Sequence, residues 1–176
     1  MIIENSENKR IIKMKQIYQK HKNTCSIASI AMLLGKNYYE VYRKFRRFIK
    51  ETGRKTLLHK MGMHNLEEEE FIKWLGFDYL EEQYGLNEPI KESCIVVIYS
   101  EKRISKSGEI IYSTNKKLKE HRICYHSIVW DNQEKIYLDP QPLVQNQPYA
   151  DREKYYNKNI FSKVYIRPLT EEKSEL

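Results

Sequence analysis

Apolar positions recur at helical spacing in the first half of the chain and gather into short extended runs in the second. Behind the polar lead-in "QIYQKHKNT", Ile27, Ile30, Ala31 and Leu34 repeat every three or four residues, which predicts a buried helix opening at Cys25. Asn23 or Thr24 is placed to cap that helix, because a short side-chain oxygen accepts from first-turn amides, and Gly35 to end it in the left-handed region. A second amphipathic helix follows, with Tyr38, Val41, Tyr42, Phe45, Phe48 and Ile49 on one face and arginines and lysines on the other; Gly53 closes it. In "HNLEEEEFIKWLGF", Asn65 is the expected cap of a third helix that Gly76 ends. Glu67 to Glu70 put negative charge where the helix dipole favours it, which makes helix chemistry a better reading of this run than metal binding.

After Pro89 the period changes. "CIVVIY" (Cys94 to Tyr99) reads as a buried strand, "EIIYS" (Glu109 to Ser113) as another, "ICYHSIVW" and "KIYLD" as a pair around a turn at "DNQE", and "KVYIR" as a fifth strand. The segments "SEKRISKSGE" and "QPLVQNQPYADREKYY" read as loops. Helices first and antiparallel strands afterwards predict an α+β domain whose sheet packs on the early helices.

The sequence of 176 residues is the size of one domain, read as residues 16–170 with a polar arm at 1–15 and a polar tail at 171–176. Hydrophobic residues make up 40%, enough to exclude a wholly disordered chain. The formal net charge of +7 suits an acidic partner or nucleic acid, but the lysines are interspersed with glutamates, and the densest basic cluster, "YRKFRRFIK", alternates with apolar residues as a solvated helix face does. Nucleic-acid binding is therefore the lesser reading. Three cysteines without close pairing do not make a disulfide framework, and no apolar run is long enough to span a bilayer. These features predict a cytoplasmic protein with reduced thiols and no membrane span.

The chemistry-bearing residues sit on these elements. A thiol is nucleophilic as its thiolate, and a helix N-terminus favours that form, so Cys25 is the candidate nucleophile, while Cys94 and Cys124 fall in apolar strands as small hydrophobes. In the hairpin "HSIVWDNQEKIYLDP", a two-residue loop at Asn132 and Gln133 sets Val129 opposite Ile136 and His126 opposite Asp139, close enough for an imidazole to donate to a carboxylate. A four-residue loop of Asp131 to Glu134 gives the same register. Asp131 lies an odd number of positions from His126 and is expected on the other face. A thiolate, an imidazole base and an acid that orients it form a nucleophilic site. A zinc site at His121, Cys124 and His126 fits less well, because strand alternation separates His121 from the other two.

With those residues in place, the sequence resembles the papain-like cysteine peptidases, specifically the bacteriocin-processing double-glycine peptidase domains. That family has a glutamine six positions before a helix-opening cysteine and, much later, a strand histidine and an Asp-Pro dipeptide. "QKHKNTC" supplies Gln19 and Cys25; "YHSIVWDNQEKIYLDP" supplies His126, Asp139 and Pro140. The resemblance implies a papain-like fold, Cys25 as nucleophile, His126 as general base and acid, Asp139 as the orienting acid and Gln19 as side-chain oxyanion donor beside the Cys25 amide. It assigns Gln16 nothing. It implies a thiol hydrolase acting on a peptide or protein substrate through an acyl-enzyme, without a cofactor or metal; deamidation or acyl transfer uses the same residues. Ser26 stands where the family commonly has glycine, crowding the expected oxyanion hole, and Thr24 where an acid is frequent. The alternative is a non-catalytic binding module on the same scaffold, using the basic helix face at Arg43, Arg46 and Arg47.

Overall fold

In the computed structural model, residues 14–56, 58, 62–83, 88–100, 102–104, 110–112 and 124–169 are described. Helix α1 (Cys25–Leu33) is buried at every residue from Cys25 to Met32. A helix covered on all sides belongs inside the molecule, and its two polar residues, Ser26 and Ser29, are accordingly turned onto a strand. Gly35 follows at φ +61°. Helix α2 (Tyr38–Thr52) starts where Asn37 accepts from the Glu40 amide at 2.8 Å and ends at Gly53, whose φ of +66° suits a residue without Cβ. It buries Tyr38, Val41, Phe45 and Phe48, with Tyr42 and Ile49 half-covered, as its pattern predicts.

Helix α3 (Asn65–Trp74) departs from expectation twice. Its cap is His64, whose Nδ1 accepts from the Leu66 amide at 3.3 Å, while Asn65 instead donates to Glu81 Oε1 at 3.2 Å. Glu68, read with its neighbours as a dipole-stabilised first turn, is buried.

A five-stranded antiparallel sheet supplies the other layer, in the order β1 (Phe77–Glu82), β7 (Ile160–Pro168), β2 (Cys94–Ser100), β5 (Cys124–Asp131) and β6 (Ile136–Leu138). Strand β1 begins directly after Gly76 and was not expected; its alternating burial has too few apolar residues to stand out in the sequence. A separate ladder pairs β3 (Lys102–Ile104) with β4 (Ile110–Tyr112). The centre of the expected strand at Glu109 to Ser113 is a strand, its two end residues lying outside the described residues, and part of the expected "SEKRISKSGE" loop is a strand.

The sheet is covered on both faces. Ile95 and Val97 of β2 enter a core with α1, α2 and α3, whereas Cys94, Val96 and Ile98 enter a second core with Tyr137, Tyr156 and Tyr165. Two-sided burial explains why "CIVVIY" is apolar without alternation. The second core is capped by helix α4 (Tyr149–Lys158), which lies in the segment expected to be loop, after a 3₁₀ turn at Pro142–Asn146. Only Tyr156 is buried in α4, so its helical period is nearly silent in the sequence.

The β5–β6 register also differs from expectation. Val129 faces Leu138 and Asp131 faces Ile136, so the loop holds four residues, Asn132 to Lys135. Asp131 Oδ1 accepts from the Gln133 and Glu134 amides at 3.0 and 3.3 Å and folds that loop, and Lys135 takes φ +57°. The expected register is displaced by two residues, an even number, and every side chain keeps its face. Asp139 therefore lies just past β6, diagonal to His126 rather than opposite it.

Candidate active site

Cys25 is the first residue of α1, and this end of the helix carries no side-chain cap. Thr24 occupies the capping position but turns away: its hydroxyl donates to His21 O at 2.7 Å and accepts from Tyr38 Oη at 2.8 Å. The expected cap by Thr24 is absent for that reason, and Asn23, at φ +62°, lies one residue before the capping position. A helix N-terminus favours negative charge, and Cys25 stands at one.

His126 projects from β5, paired across the sheet with Ile98, and is buried. Its Nε2 is 2.7 Å from Asp139 Oδ1. Nδ1 is thereby left to face the thiol, and Cys25 is hydrogen-bonded to the ring. Burial alone would lower the imidazole pKa, but the Asp139 charge, its hydrogen bond and the Cys25 contact outweigh burial and raise it to about 10. The ring is thus held as imidazolium through neutral pH.

Asp139 is 0% exposed, and both carboxylate oxygens are satisfied. Oδ1 accepts from His126 and from the Gln141 amide, both at 2.7 Å, and Oδ2 accepts from Tyr156 Oη at 2.6 Å. Burial would raise its pKa; the charged His126 and these donors hold it below the usual carboxylate value. Its carbonyl is fixed as well, by Gln16 Nε2 at 2.9 Å and Gln145 Nε2 at 3.3 Å. Gln16, which the resemblance left without a role, is therefore an anchor of the acid.

Gln19 is tied to the same loop. Its backbone N–H donates to Pro140 O at 2.9 Å and its side-chain Nε2 to Gln141 Oε1 at 2.6 Å. The four residues singled out in the sequence thus fall into one neighbourhood, with Cys25, His126 and Asp139 linked directly and Gln19 joined through Gln141.

Ser26 does not crowd the thiol. Its hydroxyl points inward to Ser127 Oγ at 3.1 Å, while Ser29 Oγ donates to Ser127 O at 3.1 Å. The residue after the cysteine is thereby bridged to the residue after the histidine. Sequence reasoning did not find Tyr156, Gln141 or the Ser26–Ser127 bridge. Tyr156 lies in the weakly patterned α4, and nothing local marks one tyrosine among the 14 of the chain as the donor to Asp139.

Cys94 is fully buried, and burial pushes its thiol up to about 12, the behaviour of a packing cysteine. His121 and the Cys124 side chain, named with His126 as a zinc alternative, lie outside the described residues, among which no group of three metal-ligating side chains occurs. No helix among the described residues is long and apolar enough to cross a membrane. A cavity of about 490 Å³ lined by Pro89, Ile90, Trp130, Tyr137 and Ile160 includes none of Cys25, His126 or Asp139.

The sequence matches no family model and no curated protein. Among solved structures, the chain is similar to the peptidase domain of Streptococcus ComA, a bifunctional ABC transporter involved in a quorum-sensing pathway. Identity is 18% with a TM-score of 0.51, over 89% of this chain and 99% of that domain. A double-glycine-motif protease from an AMS/PCAT transporter, solved with its leader peptide, aligns over 89% of this chain and 92% of that one, at 13% identity and a TM-score of 0.44. The chain has the α+β fold of the ComA peptidase domain, helices on a five-stranded antiparallel sheet.

Proposed function

We propose that this chain is a thiol hydrolase that cleaves a peptide or amide bond through an acyl-enzyme on Cys25. One observation carries the reading: a buried His126, fixed by a fully satisfied Asp139, is hydrogen-bonded to a cysteine at an uncapped helix start. The likeness of fold to a peptidase domain supports it.

In this mechanism the Cys25 proton resides on His126 Nδ1, and the thiolate attacks the substrate carbonyl carbon. The negative charge that develops on the carbonyl oxygen is met by the Cys25 N–H and, once it leaves Gln141, by Gln19 Nε2. The imidazolium returns its proton to the leaving amine as the C–N bond breaks, and the acyl thioester remains. Water, deprotonated by the neutral imidazole, then attacks that thioester and releases the acid and the thiol. A side-chain amide in place of a peptide bond makes the reaction a deamidation, and an amine in place of water makes it an acyl transfer.

The test is the rate of Cys25 alkylation by iodoacetamide between about pH 4 and 9, in wild type and in His126→Ala. Reactivity that persists well below the ordinary thiol pKa of about 8.5, and is lost in the variant, is the expected result. A profile with an ordinary thiol midpoint, unchanged by the substitution, overturns the ion pair and leaves the binding-module reading. That module would use the exposed arginines of α2, and its binding would weaken with salt and on charge reversal at Arg43, Arg46 and Arg47.

A further inference from the structure

Glu68 is an anomaly in the acidic run of α3. It is only 3% exposed, and its Oε1 is buried without a hydrogen-bond partner. A carboxyl placed this way costs free energy, since a buried polar atom left unpaired forfeits its hydration. The Ser26 hydroxyl offers the carboxyl a hydrogen bond, and Cys25 lies within electrostatic range. Ser26 in turn meets Ser127 at 3.1 Å, so a polar line runs from α3 through α1 to β5 by way of the residues that follow Cys25 and His126 in the chain.

We infer that Glu68 is a positioning residue for the Cys25–His126 pair: its buried carboxyl braces Ser26 so that the Ser26–Ser127 bridge holds the head of α1 against the strand bearing His126. The inference rests on the thiol-hydrolase reading of that pair. The groups facing the carboxyl are Cys25 from α1 and Glu81 and Tyr79 from β1. On its own helix Glu67 turns instead toward Arg54, Thr56 and His64. Burial, reinforced by Cys25 and Glu81, raises the Glu68 pKa to about 8, so the brace is neutral over the range in which the ion pair forms. Above that range a new negative charge arises beside the thiolate. It makes the sulfur more basic, and a rise of about one unit in thiol pKa increases the rate of a formed thiolate about threefold.

The experiment is Cys25-specific alkylation by iodoacetamide, resolved by mass spectrometry from Cys94 and Cys124, for wild type, E68Q, E68L and S26A over about pH 5 to 9.5. The amide of E68Q keeps an acceptor for Ser26 and cannot ionise. Its profile is expected to match wild type below pH 7 and to lack the roughly threefold rise expected of wild type near pH 8. E68L and S26A remove the brace without adding charge, and each is expected to lose about tenfold in rate near pH 6, the size of a one-unit shift in the pair. S26A carries this test if E68L does not fold. An E68Q profile that keeps the alkaline rise, or S26A and E68L profiles that follow wild type near pH 6, overturns the role of Glu68 while leaving the ion pair standing. A wild-type profile without His126-dependent reactivity at low pH overturns the thiol-hydrolase reading, and this inference with it.

Discussion

At the scale of single residues, the centre of the site is Asp139, a carboxylate whose charge is compensated entirely by neighbours. Tyr156→Phe removes the Oδ2 donor and leaves a buried, charged oxygen unpaired, so stability should fall by about 2 kcal/mol in urea denaturation. The His126–Asp139 pair also fixes the sign of a pH effect. His126 titrates above its ordinary 6.5, so its contribution is complete below 6.5 and is lost as pH rises through about 10. Asp139 titrates below its ordinary 3.8, so its contribution is present above 3.8 and is lost as pH falls through the lower folded value. The stability difference between wild type and Asp139→Asn should therefore be greatest between about pH 4 and 6.5 and shrink on either side, as measured by urea midpoints in matched buffers. Cys25, His126 and Asp139 were legible because a helix start and a strand parity are local patterns. Tyr156 and Glu68 were not, since what makes each important is a partner 17 and 42 residues away that only packing selects.

At the scale of elements, the β5–β6 hairpin shows how a wrong register left the correct contact. The sequence offered a turn at "DNQE", and either reading of it placed Val129 on Ile136. The backbone instead runs on to Lys135 in the left-handed region, where Asp131 caps the loop amides, and Val129 meets Leu138. Because the displacement is even, His126 and Asp139 still share a face, and a diagonal separation in an antiparallel pair is within reach of an imidazole. The positive φ yields its own test. Lys135→Gly relieves the Cβ strain of that conformation and should raise stability by about 0.5 to 1 kcal/mol without changing the pairing, read from the urea midpoint and from amide exchange of β5 and β6. Helix α4 and strand β1 escaped the pattern for a common reason: each buries few apolar residues, so neither the 3.6-residue nor the two-residue period rises above its polar background.

At the scale of the whole molecule, two cores lie on opposite faces of one sheet, and the site gathers groups from both sides of it. The Ser26–Ser127 bridge and Glu68 approach from the side of α1 and α3, and Tyr156 holds Asp139 from the core capped by α4. Glu68 makes the fold itself sensitive to alkali. Its folded pKa of about 8 exceeds the ordinary 4.5, so the unfolded chain ionises first and the folded state loses relative stability from pH 4.5 up to about 8, with no further change above. E68Q has no such slope; relative to its own value at pH 4.5 it should be more stable than wild type at pH 9, as followed by thermal midpoints across that range. The long span between Cys25 and its partners has a consequence for the order of synthesis. Cys25 leaves the ribosome more than a hundred residues before Asp139, and for all that interval it has neither His126 nor Asp139 beside it. A growing chain, or one truncated ahead of the hairpin, should therefore carry Cys25 as an ordinary thiol, and on the proposed reading its low-pH reactivity arises only once the last strands are in place.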